Sequence, residues 1–313
     1  MRVVIAVGGN AMTAADGSAR PADQQAAIEV AVEPVADLIC AGHQVVLTHG
    51  NGPQVGNLLV KNELAASVVP PVPLDWCGAQ TQATVGLLIL NALGRALAAR
   101  GSSVPTAVVV SRTEVAADDP AFRAPSKPIG RYRTEAEAAV MIGHGQHWQD
   151  RGERGWRRVV ASPEPLRCLD TPAVLALLAA GFAVVCSGGG GIPVAADGSP
   201  GGFRGVEAVI DKDLTAALLA GALEADRLII ATDVDHVVLD WGTDSAKPLS
   251  AVPVSDLEAL LADGAFASGS MAPKVTAACR FVRRSGKPAA ITSLEAIAGA
   301  IAGEAGTIVQ PEA

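Results

Sequence analysis

Apolar strands that alternate with Ala/Leu-rich helices predict an α/β fold built on a mostly parallel sheet. Three observations lead there. Half of the 313 residues are apolar but only 3% are aromatic, so Ala, Val, Leu and Ile must build the core, which suits helices packed on a parallel sheet. Runs such as Arg2–Val7 and Gln44–Thr48 are continuously apolar, the pattern of strands buried on both faces. Three of these strands end in a glycine-rich turn: Gly8-Gly9-Asn10, His49-Gly50-Asn51-Gly52, and Ser187 followed by Gly188-Gly189-Gly190-Gly191. A chain of this length buries a large core, as one α/β domain or two lobes.

Taken in order, the first strand (Arg2–Val7) is followed by a helix from about Ala22 to Cys40, with Pro21 near its first turn and Gly42 beyond its end. After the Gln44–Thr48 strand, Pro53 begins a helix and leaves the Gly50–Gly52 N–H groups free for a ligand. Asp75 is expected to cap a long helix reaching Ala99, and its polar run Gln80-Thr81-Gln82 is given no catalytic role. Thr106–Val110 is the next strand. From Arg112 to about Arg158 the chain turns polar, which reads as an ordered lid because Trp148 and Trp156 can form a satellite core. Lys127, fixed between Pro125 and Pro128, can reach over an anion, whereas Arg157 and Arg158 read as solvated surface charges. A helix from Thr171, a strand Phe182–Cys186 and a hairpin over Ala195–Arg204 follow.

In the last third, Arg227–Thr232 is a buried strand and His236–Trp241 a short one. Ser255 is expected to cap a helix to Ala262, and Pro273 suits the first turn of a helix to Arg284. Ala289–Ile291, a helix from Ser293 and Thr307–Val309 complete the pattern.

The net charge of −8 gives no general attraction for nucleic acid or anionic membranes, so an anionic substrate must be drawn by local lysines and N–H groups. The five cysteines are scattered, and Cys40, Cys186 and Cys279 read as small core residues. Neither disulfides nor a zinc site is expected. The chain starts directly on a strand, and no apolar run spans a bilayer without Gly, Pro or charge, so a cytoplasmic protein without a signal peptide is expected.

The stretch that organises the chain is Gly205 to Asp213. Val209-Ile210 runs into Asp211-Lys212-Asp213, and an Ala/Leu-rich helix follows. Asp211 can cap that helix. Lys212 then sits in its first turn, where the dipole disfavours a cation and favours an anion shared between the two. Lys274 repeats this placement beside Pro273. Four consecutive glycines cost much folding entropy, which argues that Gly188–Gly191 serve a ligand. His49 reads as an acid/base group or, more simply, as a hydrogen-bonding scaffold.

These residues together resemble the carbamate kinases of the amino-acid kinase superfamily. The resemblance is carried by Val7 to Ala11, His49 to Gly56, Lys127-Pro128-Ile129-Gly130, Gly155 to Val160, Gly188 to Val194, Gly205 to Leu214, Thr232 to Asp235, and Gly269 to Val275. It implies a three-layer α/β/α sandwich with a protruding lid, and a homodimer. It also implies Mg²⁺-dependent phosphoryl transfer between ATP and carbamate, with ADP and carbamoyl phosphate on the other side. A single domain is implied, with residues 1–204 as the acid half, 112–158 as its lid and 205–313 as the nucleotide half. Catalytic roles fall on Lys127, Lys212, Asp213 and Lys274. Substrate contacts fall on Gly8, Gly9, Asn10, Gly50, Asn51, Gly52, Gly189 and Gly190. The nucleotide falls to Lys212, Asp233, Val234, Met271 and Lys274, with Trp241 able to stack on the base, and no protein metal ligand is implied. The pattern departs from the family at Ala272, where glycine is usual, and near Val238, where tyrosine is frequent. If position 272 needs a positive φ, alanine there costs about 1 kcal/mol. A same-fold kinase for another small acid and a non-catalytic nucleotide-binding regulator are the alternative readings.

Overall fold

The computed structural model describes residues 1–9, 20–65, 68–143, 145–266 and 271–312. Its centre is an eight-stranded sheet in the order Ala251–Pro253, Thr307–Gln310, Ala289–Ser293, Arg227–Thr232, Arg2–Val7, Gln44–His49, Ala183–Val185 and Thr106–Val108. Every neighbouring pair is parallel except Ala289–Ser293 with Thr307–Gln310. Strand alternation divides the core into two layers. Val3, Ile5 and Val7 face the helices Pro21–Cys40, Leu74–Ala99 and Ile297–Ala302. Val4 and Ala6 face Thr171–Ala179, Lys212–Ala222, Val254–Ala262 and Met271–Ser285. The fold is thus the expected sandwich of helices on both faces of a mostly parallel sheet.

Besides the two-stranded pair Val238–Leu239 with Lys247–Pro248, two smaller sheets extend this frame. One joins Phe203–Gly205, Ile192–Ala196, Arg112–Val115 and Pro165–Cys168, so the polar stretch that opens at Arg112 first contributes a strand here. The other is a lid of Lys127–Arg133, Trp156–Val160 and Trp148–Asp150. The base of the lid is tied to the organising stretch, since the Val209 N–H donates to the Ala161 carbonyl at 3.0 Å.

Several local expectations are corrected. Asp75 does not cap its helix, which begins at Leu74 after Pro73. The Leu74 N–H is satisfied instead by the Glu207 carboxylate at 3.0 Å. Ser255 lies inside the helix that starts at Val254, where its N–H and hydroxyl both donate to Glu312. The helix expected from Ser293 starts at Ile297. Cys40 is exposed rather than a core residue, while Cys186 and Cys279 are buried as read. Ala272 sits within the helix Met271–Ser285 and has no positive φ, so no backbone strain attaches to it. The helix Leu74–Ala99 is long and apolar enough to cross a membrane by length and composition, but one face packs into the core through residues such as Val85, Ile89 and Leu93.

Candidate active site

Parallel strands bring their carboxyl ends to one edge of the sheet, and the glycine turns meet there. The Gly8 N–H bonds the Ala231 carbonyl and the Gly50 N–H bonds the Val7 carbonyl, at 3.1 and 3.0 Å. A Cβ on Gly50 would lie 2.6 Å from the Gly9 nitrogen, so these two turns pack backbone to backbone. Asn10 lies outside the described residues. The third turn is packed as tightly. A Cβ on Gly188 would meet the His49 ring at 2.3 Å, and one on Gly189, at φ +67°, would meet Asn51 Nδ2 at 2.1 Å. The glycines are therefore required by close approach, which is why the sequence keeps four in a row.

Polar side chains from the core hold this turn. Gln82 donates from Nε2 to the carbonyls of Ser111 and Gly188, at 3.1 and 3.0 Å, and accepts from the Ser111 N–H at 2.8 Å. Thr48 donates to the Ser187 carbonyl and Thr215 to that of Gly190. Asn51 donates to Thr81 Oγ1 at 2.9 Å. Sequence reasoning set aside Gln80-Thr81-Gln82, yet a polar run inside an apolar helix was the available signal. His49 is a scaffold: it is buried, and its Nδ1 lies 2.8 Å from the Gly50 carbonyl. Burial lowers its pKa to about 4, aided by the Lys212 charge and opposed by the Gly50 hydrogen bond, so the ring is neutral at pH 7.

The second part of the site is an array of charges. Asp211 caps the helix Lys212–Ala222: its Oδ1 accepts from the N–H groups of Asp213 (2.9 Å) and Leu214 (3.3 Å). Its Oδ2 accepts from Lys127 Nζ of the lid at 3.3 Å. Asp213 is 3% exposed and receives one lysine on each oxygen, Lys212 on Oδ1 and Lys274 on Oδ2 at 3.2 Å. Burial pushes the Asp213 carboxyl up, but the two ammonium groups outweigh it and hold the pKa below the usual carboxylate value. Lys127, Lys212, Asp213 and Lys274 thus stand in one network reached from the lid and two helix starts.

Between lid and core lies a cavity of about 610 Å³, lined in part by Asn51, Gly52, Gly189, Lys127 and Arg157. Arg157 and Arg158 are not the solvated charges that sequence suggested. The Arg158 side chain is 12% exposed and bonds Glu207 at 2.9 Å, and the Arg157 guanidinium lies over the Tyr132 ring, 5.1 Å from its centre. On the nucleotide side, Asp233 and Val234 follow the strand Arg227–Thr232, and Asp233 accepts from Thr232 Oγ1. Met271 packs against the core, and Trp241 is 72% exposed. Among the described residues, no side-chain hydrogen bond or ion pair joins these four to the lysine network.

A parallel sheet with glycine turns packed together at its carboxyl edge, and two lysines converging on one buried carboxylate, is an arrangement suited to a phosphoryl-handling enzyme. Residues 1–293 match the model of the amino acid kinase family, and the chain belongs to that family and is a kinase. Relatives that it matches over nearly the full length include carbamate kinases. That of Trichomonas vaginalis is 40% identical over 99% of this chain and 100% of its own, and a carbamate kinase-like protein of Escherichia coli is 42% identical over 98% of each. Among solved structures, the carbamate kinase of Giardia lamblia bound to AMP-PNP matches with a TM-score of 0.94 at 38% identity, covering 99% of this chain and 98% of that one.

Proposed function

We propose that the protein catalyses reversible phosphoryl transfer between ATP and carbamate, with Lys127, Lys212 and Lys274 stabilising the moving phosphoryl group and Asp213 positioning two of them. The observation that carries this reading is the Asp213 carboxylate, buried and shared between lysines from two helix starts. Phosphoryl transfer spreads negative charge over the transferring oxygens, so catalysis is mainly positioning and electrostatic stabilisation. Three ammonium groups against Asp211 and Asp213 leave one positive charge in excess, which an entering anion satisfies. Lys127 is shared with Asp211 across the lid, so it can exchange that carboxylate for substrate without crossing the site.

The acid side is assigned to the turns that hold Gly8, Gly9, Gly50, Asn51, Gly52, Gly189 and Gly190. The N–H groups of Gly8, Gly50 and Gly190 bond the carbonyls of Ala231, Val7 and Ser187 and fix the turns, so the remaining N–H groups of the turns are the ones that suit anionic oxygens. The nucleotide side is assigned to Asp233, Val234, Met271 and the two helix-start lysines. Trp241, whose ring is exposed, is assigned to stacking on the base. Both Asp213 oxygens are committed to lysines, and the described residues hold no group of three or more His, Cys, Asp or Glu that could hold a metal. That donor set suits Mg²⁺ carried on the nucleotide phosphates. There it supplies charge neutralisation of the phosphate oxygens.

The same reading includes a single kinase domain, with 1–204 on the acid side and 205–313 on the nucleotide side. It also includes a homodimer, cytoplasmic placement, and no nucleic-acid or membrane partner. Light scattering on the purified protein tests the dimer. The deciding assay is ATP formation from ADP and carbamoyl phosphate with Mg²⁺ present; an absence of turnover overturns the proposal.

A further inference from the structure

Arg157 and Arg158 are consecutive in the lid strand Trp156–Val160, so they leave opposite faces of the lid sheet. Arg158 lines a separate cavity of about 550 Å³ and is neutralised there by Glu207. Arg157 lines the cavity between lid and core that Lys127, Asn51 and Gly189 also line. Among the described residues no carboxylate lies within ion-pair distance of it. Its Nε is buried without a hydrogen-bond partner, and an orphaned buried donor at a cavity wall needs an explanation. The Tyr132 ring lies under the guanidinium, and its side chain, hydrogen-bonded by Arg154 and Arg157, holds that group in place.

The cavity points the same way. Lys127, Arg131 and Arg157 line it, and among the described residues no Asp or Glu does, although the whole chain carries a net charge of −8. The position of Arg157 is also built into the backbone. Gly155 has φ +86°, and a Cβ there would lie 2.6 Å from the Arg133 carbonyl. That close approach opens the strand and sets the register that pairs Arg157 with Gln149.

We propose that Arg157 is a substrate-binding residue that grips the anionic oxygens of the small acyl phosphate from the lid side, with Lys127 as its neighbour. A guanidinium fork suits two oxygens of one anion. The inference rests on the kinase reading above. Its test is steady-state ATP formation by Arg157→Ala, Arg157→Gln and Arg157→Lys. A parallel calorimetric titration uses phosphonoacetamide, a non-transferable isostere of carbamoyl phosphate.

Loss of a charge-assisted hydrogen bond should raise KM for carbamoyl phosphate by about tenfold or more in the Ala and Gln variants. KM for ADP should stay within about twofold, and the Lys variant should fall between. Phosphonoacetamide binding should weaken by a similar factor. Arg157→Gln keeps most of the side-chain length, so it decides the matter if the alanine variant does not fold. Either of two results overturns the assignment: a KM for carbamoyl phosphate within about twofold of the parent, or equal rises in both KM values, which would mark a merely structural arginine. If the parent protein itself forms no ATP, the kinase reading fails separately, and the titration alone then decides the role of Arg157.

Discussion

Replacing Asp213 by asparagine keeps the side-chain volume and removes one negative charge from between two ammonium groups. In the parent, each carboxylate oxygen accepts from a different lysine. Asparagine offers one acceptor and one NH₂ donor, so whichever way the amide turns, either Lys212 or Lys274 faces a donor. The site is largely shielded, with side-chain exposures of 4% for Asp213, 13% for Lys212 and 15% for Lys274. Removing one partner of a buried ion pair costs roughly 3–5 kcal/mol of stability, which a thermal melt reads. The rate is affected separately, because a lysine turned away from the transferring oxygens no longer stabilises them. Loss of one such preorganised contact costs about 3 kcal/mol of transition-state stabilisation, a fall in kcat of roughly 100-fold. The assay is kcat for ATP formation from ADP and carbamoyl phosphate, beside a thermal melt to establish folding. A folded Asp213→Asn protein that keeps more than about a tenth of the parent kcat would refute the positioning role.

Three further outcomes are expected. Lys212→Ala should lower kcat by well over tenfold, with a thermal melt beside it to separate the stability lost when Asp213 keeps only Lys274; in a folded variant, a loss under about 1.4 kcal/mol would show the role misassigned. Gly189→Ala should destabilise by about 1–2 kcal/mol from its positive φ alone and should raise KM for carbamoyl phosphate by displacing Asn51, read by urea unfolding and kinetics. His49 titrates near 6.5 when unfolded and near 4 when folded, so below pH 6.5 the unfolded chain binds a proton that the native protein refuses. Native stability should therefore fall between pH 6.5 and 4 by up to about 1.4 kcal/mol per pH unit. His49→Asn should flatten that slope in urea titrations at several pH values.

The parts of the fold that were legible in sequence are those set by local pattern. Continuous apolar runs mark the central strands because both faces of a parallel sheet are covered. The helix caps were read less well. Asp75 and Ser255 have the right chemistry in nearly the right place, but the helices start one residue before them, and first-turn N–H groups, those of Leu74 and of Ser255 itself, are met from far along the chain by Glu207 and Glu312. Only tertiary structure supplies such partners. The Arg157/Arg158 pair failed for a related reason. Alternation along a strand sends neighbours to opposite faces, but which face meets substrate depends on how the lid folds over the core, and the irregular pairing of Lys127–Arg133 with Trp156–Val160 hides that register.

Asp211 shows how a correct local reading can conceal a second function. As an N-cap it needs only one oxygen, and Oδ1 performs that task for two N–H groups. The other oxygen remains available, and Lys127 of the lid takes it from 84 residues away. One carboxylate therefore fixes the first turn that presents Lys212 and also receives the lysine that the lid brings across. Placing an anion between them sets Lys127 in competition between Asp211 and substrate. On the proposed reading, lid position and substrate occupancy are coupled through that ion pair, whereas Lys212 and Lys274 bond Asp213 rather than Asp211, the carboxylate partner of the lid lysine.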